Sequence, residues 1–137
     1  KKCSKIKKVK VIFCFFTKHR KTTDELEVLG NGEQCKPYIY VKDLVDGIQY
    51  VIRHATARYN VYNLGPTTRT KVKEIAQITI EEMGLHATIR YTGGDRGWVG
   101  DVQEFRYDIS KIKALGWSDP KTSNEAVRTA VKKALNK

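Results

Sequence analysis

A chain of 137 residues with 40% apolar and 30% charged side chains has the composition of one globular domain, which excludes a disordered protein. No apolar run approaches the ~20 residues needed to cross a bilayer and nothing directs export, so we expect a cytoplasmic protein with no membrane segment. The three cysteines and three histidines show no metal-ligand spacing, and we expect free thiols and no metal site.

The net charge of +11 is concentrated at the N-terminus. Residues 1–24 carry nine Lys or Arg and one acidic residue, whereas residues 25–137 carry 17 basic and 14 acidic residues. We therefore divide the chain into a basic N-terminal arm, residues 1–24, and a domain, residues 25–137. The arm contains a short apolar, strand-like run over residues 11–16. Since nucleic-acid readers more often carry charge on the folded face, we expect the arm to contact nucleic acid only non-specifically.

The domain alternates between strand and helix patterns. Short strands are predicted over residues 26–29 and 38–41, and a helix of about four turns follows from residue 41 because apolar residues recur there at i, i+3, i+4 spacing. A buried strand is predicted over residues 59–64. A helix over 72–83, which Thr70 can cap and Gly84 ends, is followed by a strand over 87–91 and a glycine-rich loop over 93–101. A short helix over 110–115 that Asp108 caps comes next, and the last helix starts at a Thr122–Glu125 capping box. This pattern predicts an α/β fold, a small mixed domain of short strands and about four helices.

Three motifs of cofactor and catalytic sites match by spacing alone. Gly94, Gly97 and Gly100 have the spacing of a dinucleotide-binding loop, but no helix is predicted to follow them. A Y-x-x-x-K spacing occurs at Tyr38 and at Tyr107, and neither tyrosine is predicted to share a helix face with its lysine. We therefore predict no catalytic, cofactor-binding or metal-binding residue in this chain.

Lys36, Arg90 and Arg96 form the remaining candidate site. Lys36 follows a turn over residues 30–32, and the two arginines flank the glycine-rich loop. Exposed backbone amides beside Arg or Lys suit a diphosphate, because Arg can contact phosphate oxygens through two parallel hydrogen bonds. Ordinary surface charge is the alternative, and the residue pattern alone leaves it open.

Three stretches, in this order and spacing, resemble the extended short-chain dehydrogenases. Residues 29–48 (LGNGEQCKPYIYVKDLVDGI) are similar to a segment of the nucleotide-sugar epimerases and dehydratases, such as the UDP-glucose 4-epimerases. Residues 61–65 (VYNLG) and residues 107–117 (YDISKIKALGW) are similar to two further motifs of that family. The resemblance covers residues 26 to about 135.

The resemblance implies that residues 25–137 are the C-terminal, substrate-binding lobe of an NAD-dependent sugar-nucleotide epimerase. It implies a UDP-sugar-like ligand whose diphosphate contacts Lys36 and Arg96, and it adds Asn63 as a substrate-binding candidate to Arg90, which the residue pattern indicates. It also implies that NAD belongs to the intact family and that the cofactor-binding Rossmann domain is absent from this chain. The expectation is a truncated form that is inactive alone and would need a separate cofactor domain as its partner.

Two other functions stay open at this point. The chain could be a stand-alone module that binds or senses sugar nucleotides. It could also be a basic, nucleic-acid-associated protein that uses residues 1–24.

Overall fold

The computed structural model describes residues 25–135, and the structural statements that follow concern those residues. The predicted arm and its apolar run lie outside them. The elements are, in chain order, β1 (Glu25–Val28), β2 (Cys35–Lys36), α1 (Val41–His54), β3 (Thr70–Lys71), α2 (Val72–Met83), β4 (Thr88–Tyr91), α3 (Ser110–Ala114) and α4 (Ser123–Ala134). The prediction of a small mixed α/β domain with about four helices is confirmed.

The strands form two pairs. β1 runs parallel to β4, with Leu26 opposite Ile89 and Val28 opposite Tyr91. β2 runs antiparallel to β3, with Cys35 opposite Lys71. Parallel strands end at the same edge, so the loops that leave β1 and β4 start side by side.

The main core lies between β1, α2 and α4. Its apolar side chains come from one face of each helix and from alternate positions of the strand, as periods of 3.6 and 2 require. The buried members of this cluster are Leu26, Val28, Ile75, Ala76, Ile78, Ile80, Val127 and Val131. Gly84 ends α2 as predicted, because the cap needs its positive φ of 65°.

A smaller core packs α1 against α3. Ile109, Ile112 and Trp117 are buried there, beside half-buried Tyr50 and Val51 of α1. A Cβ added to Gly47 would lie 2.9 Å from Leu64 and 3.3 Å from Trp117, so the helix approaches these side chains closely only because this position is glycine.

Most of the apolar stripe that predicted α1 does not face this core, although Val51 does. Val41, Val45, Ile48 and Ile52 are all exposed, although the helix itself is confirmed. The buried positions of α1 are Asp43 and Gly47, and the carboxylate of Asp43 accepts hydrogen bonds from Lys121 Nζ at 2.9 Å through both oxygens. Periodicity identifies a helix, but it does not say what the apolar face contacts.

Two predicted strands are wrong. Residues 38–41 form no strand because Pro37 has no N–H to donate and the N–H of Tyr38 donates to Ser123 Oγ at 2.9 Å. Residues 59–64 form no strand either, and Val61 in that segment is 78% exposed. Its carbonyl accepts a hydrogen bond from Lys111 Nζ at 2.7 Å, so a side chain occupies an acceptor that a sheet would use.

Of the predicted helix caps, the one at the start of α4 is confirmed and two are wrong. Thr122 and Glu125 form the predicted capping box at the start of α4. Asp108 is not the cap of α3, because the N-cap residue is Ile109, which makes no side-chain cap hydrogen bond; Asp108 accepts the N–H of Ser110 at 2.9 Å. Thr70 does not cap α2, because its side chain is fully buried and its hydroxyl donates to Asn124 Oδ1 at 2.5 Å. No helix within residues 25–135 has the length and apolar character of a membrane span.

We predict that Ile75→Ala lowers the free energy of unfolding by about 2–5 kcal/mol, because it removes a side chain that has no exposed surface and leaves a cavity. Urea unfolding followed by circular dichroism measures the change. Val99→Ala, at a side chain that is 95% exposed, is the matched control and should stay within about 0.5 kcal/mol of the parent chain. Equal stability of the two variants would show that Ile75 is not core.

Candidate functional site

Two loops meet at the ends of β1 and β4. The Gly30 N–H donates to Thr92 Oγ1 at 2.8 Å, and the Gly93 N–H donates to the Gly30 carbonyl at 3.1 Å. Gly30 has a φ of 80°, and a Cβ there would lie 2.9 Å from the carbonyl oxygen of Arg96. Glycine at this position therefore allows the backbone around residue 30 to touch the backbone around residue 96.

A side-chain clasp formed by Lys36 and Asp101 fixes the far end of the glycine-rich loop. Lys36 Nζ lies 2.5 Å from Asp101 Oδ1, and the side chains are 25% and 7% exposed respectively. The second carboxylate oxygen of Asp101 accepts the N–H of Gly97 at 3.2 Å. One carboxylate thus ties strand β2 to the loop over residues 97–101.

The chain that follows the loop runs beside β2. The Cys35 N–H donates to the Gln103 carbonyl at 2.8 Å, and Cys35 forms a parallel bridge with Glu104. Arg69, whose side chain is 21% exposed, forms an ion pair with Glu104. No local pattern in the sequence indicates the roles of Asp101 and Arg69. Asp101 ends the predicted loop, but its buried position follows from long-range pairing that no local pattern encodes.

Arg96 lies on the exposed side of this assembly. Among residues 25–135 it is the one arginine whose guanidinium has no hydrogen bond, ion pair or ring contact. Its neighbour Asp95 accepts a hydrogen bond from Gln103 Nε2 at 2.5 Å, so that carboxylate is engaged away from Arg96. The charge of Arg96 is therefore available to a ligand.

Arg90 and Asn63 are placed elsewhere. Arg90 Nε lies 2.5 Å from Glu25 Oε1, its Nη2 pairs with Glu27, and these carboxylates raise the pKa of the guanidinium above its usual value. Asn63 donates its amide to the Asp108 carbonyl at 3.0 Å. Of the four predicted substrate-binding residues, the structure brings together Lys36 and the loop that carries Arg96, and contacts join neither Arg90 nor Asn63 to them.

Gln34 supplies a buried polar group where the two loops meet. Its side chain is 2% exposed, and neither amide atom has a hydrogen-bond partner in the described part of the chain. Its Nε2 would lie within 3.5 Å of a Cβ placed on Gly30 or on Gly97, so the amide sits between the loops. A buried amide without a partner costs about 1–3 kcal/mol, which a polar ligand group could offset.

Comparison with known proteins matches residues 5–65 to the family described as NAD dependent epimerase/dehydratase. Curated relatives and solved structures carry the same activities in their names. The chain is similar to members of the NAD-dependent epimerase/dehydratase family, and the family match covers residues 5–65. The match begins at residue 5, within the segment predicted to be a separate arm.

The relatives of this chain are longer. A trifunctional UDP-glucose 4,6-dehydratase/UDP-4-keto-6-deoxy-D-glucose 3,5-epimerase/UDP-4-keto-L-rhamnose-reductase of Arabidopsis thaliana is 28% identical over 105 residues, which are 75% of this chain and 15% of that protein. A crystal structure of UDP-galactose 4-epimerase superposes with a TM-score of 0.75 at 30% identity, and covers 92% of this chain and 40% of that one. UDP-glucose 4-epimerase of Thermotoga maritima, solved with UDP-glucose, gives 0.66 at 25% identity, with 82% and 35% covered.

The glycine-rich loop does not fit the NAD of this family. A dinucleotide site needs the glycines to lead directly into a helix, whose N-terminal amides meet the pyrophosphate. Here the loop ends at Asp101, and the next helix, α3, begins only at Ser110. The spacing of Gly94, Gly97 and Gly100 therefore matches the dinucleotide motif without the helix that the motif requires. Residues 25–135 also contain no group of three His, Cys, Asp or Glu side chains placed to hold a metal ion.

Tyr38 does not suit proton abstraction. Burial raises the pKa of its phenol to about 12, and the charges of Asp101 and Cys35 act in the same direction. Such a phenol stays protonated at neutral pH, whereas a general base works best with a pKa near the operating pH. Lys42, four residues later, is paired with Asp46 at 3.0 Å rather than with this tyrosine.

We predict that Glu33→Gln weakens the loss of stability in acid. Glu33 lies 2.7 Å from Lys71 Nζ and 2.5 Å from Lys73 Nζ, and these hydrogen bonds lower the pKa of its carboxyl from 4.5 to about 2. A carboxyl whose pKa is lower in the folded state than in the unfolded state stabilises the fold at pH values above its unfolded-state pKa. This stabilisation is lost as the pH falls from about 4.5 to 2. Urea midpoints measured across that range should fall more steeply in the parent chain than in the variant. Parallel curves would contradict the role of the two lysines.

Proposed function

We propose that the loops over residues 29–36 and 93–101 bind the diphosphate of a nucleotide sugar, with Arg96 as the direct phosphate contact. The observation that carries this proposal is an unpaired arginine on a loop that a half-buried ion pair holds in place. The planar guanidinium can donate two parallel hydrogen bonds to phosphate oxygens, and its donors need not leave another partner first.

Lys36 has a mainly positional role in this proposal. Its ammonium has three N–H donors, and the one used on Asp101 leaves others for a phosphate oxygen. Without the lysine, Asp101 would be a buried, unpaired carboxylate beside an anion site, which is unfavourable for the fold and for the ligand. Lys36 therefore neutralises Asp101 and thereby lets an anion approach the loop.

The family of the chain supports a nucleotide sugar as the ligand. UDP-glucose accompanies the Thermotoga maritima epimerase to which this fold is similar. Since the chain spans 40% or less of the relatives described above, we assign only substrate binding to residues 25–135. We propose that NAD and the groups that transfer protons belong to a cofactor domain that pairs with this lobe, and that the sugar nucleotide binds between the two.

We predict that Arg96→Gln weakens UDP-glucose binding about tenfold, because a charge-assisted contact to phosphate is lost. Isothermal titration calorimetry at low salt measures the dissociation constant. Lys133→Gln removes one positive charge from α4 and controls for the general electrostatic attraction of a basic chain. If both variants lose the same affinity, Arg96 is ordinary surface charge and the proposal fails.

We also predict that NADH emission does not change when this chain is added in the micromolar range. The glycine-rich loop is followed by non-helical chain, which gives the pyrophosphate no helix N-terminus. Fluorescence titration of NADH provides the measurement. Saturable enhancement or quenching would show that a dinucleotide site exists in these 137 residues.

A further inference from the structure

Trp98 is a large aromatic side chain held in the open beside Arg96. It is 64% exposed, whereas the other tryptophan, Trp117, is 8% exposed in the smaller core. Within residues 25–135 no ring stacks on Trp98 and no cation lies over it. The proposed function uses Arg96 and the clasp, and it gives this indole no role.

The backbone around Trp98 is fixed although its side chain is exposed. The Asp101 N–H donates to the Trp98 carbonyl at 3.0 Å, which closes a turn over residues 98–101. Gly97, directly before the indole, donates its N–H to Asp101 Oδ2 at 3.2 Å. The clasp that fixes the loop for Arg96 therefore also fixes the start of the Trp98 side chain.

Gly100 sets the direction of the indole. It has a φ of 87°, and a Cβ at this position would lie 3.3 Å from the six-membered ring of Trp98. One edge of the six-membered ring thus lies beside Gly100, where a larger residue would crowd it. Most of the indole surface stays exposed in this position.

We propose that the exposed face of Trp98 stacks on the nucleobase of the ligand whose phosphate Arg96 contacts. The proposal rests on the proposed function and adds the part of the ligand that the loop recognises. Two residues of chain span at most about 7 Å, so the Cα atoms of Arg96 and Trp98 lie within the reach of one 5′-nucleotide. Stacking on an aromatic side chain suits any base, because every base has a π-face.

Stacking on Trp98 predicts how the ligand's base affects its affinity for the chain. The base is held by its face alone, so Trp98 contributes to the binding of uridine and other nucleosides with little discrimination among bases. Removal of the aromatic ring should weaken nucleotide binding at least fivefold, and phenylalanine should restore most of the loss. A sugar phosphate without a base should not respond to either change.

The test compares three ligands on the full chain: UMP, ribose 5-phosphate and galactose 1-phosphate. Dissociation constants from calorimetry are measured for the parent chain, Trp98→Leu, Trp98→Phe and Arg96→Gln. Val99→Leu, at the neighbouring exposed position, controls for an apolar change in the same turn. The chain has two tryptophans, and Trp117 is buried. UMP should therefore quench mainly the emission of the exposed Trp98, which iodide can also quench.

We expect UMP to bind the parent chain more tightly than ribose 5-phosphate, and we expect Trp98→Leu to remove that difference. The dissociation constants of Trp98→Phe and Val99→Leu for UMP should stay within about twofold of the parent value. If Arg96→Gln weakens all three ligands but Trp98→Leu weakens none, the stacking proposal is wrong and the phosphate site stands. If Trp98→Leu weakens galactose 1-phosphate and spares UMP, the ring contacts the sugar, which also overturns the proposal. If no ligand binds the parent chain, both the phosphate site and the stacking site are refuted.

Discussion

The parallel pairing of β1 with β4 is the constraint on which the candidate site depends. It places the loop after residue 28 and the loop after residue 91 at one edge, although about sixty residues of sequence separate them. The two loops then exchange backbone hydrogen bonds through Gly30, which tolerates the contact because it has no Cβ. The Lys36–Asp101 clasp and the unpaired guanidinium of Arg96 both depend on the two loops lying side by side.

The Lys36–Asp101 clasp positions the glycine-rich loop more than it stabilises the fold. Asp101 is nearly buried, and the free energy cost of taking its charge out of water is offset only in part by the half-buried Lys36. Loss of either partner would leave the other charge uncompensated at the loop, which changes the position of the loop and the stability of the fold together. The indole of Trp98 and the guanidinium of Arg96 are the side chains of this loop that can be changed with less effect on folding, because both are exposed.

The helices were predictable from sequence, and the strands and the site were predictable only in part. Capping at Thr122 and termination at Gly84 are local interactions within a few residues of sequence, so the pattern encodes them. Residues 59–64 look like a strand but have no neighbouring strand within residues 25–135, and tertiary context overrides their β propensity. Arg90 and Arg96 both flank the glycine-rich loop, so the sequence does not tell them apart as ligand contacts. The register of β4 against β1 pairs Arg90 with Glu25 and Glu27, whereas Arg96 has no such partner.

Backbone amide chemical shifts measured during titration with UDP-glucose locate the ligand without any substitution. We expect saturable shifts that are confined to residues 29–36 and 93–103, with the largest at Arg96, Gly97 and Trp98, and only small shifts on α4. Shifts centred on α1 or α4, with the two loops unchanged, would contradict this expectation. They would show that the loops joined by β1, β4 and the clasp are a structural feature rather than the sugar-nucleotide site.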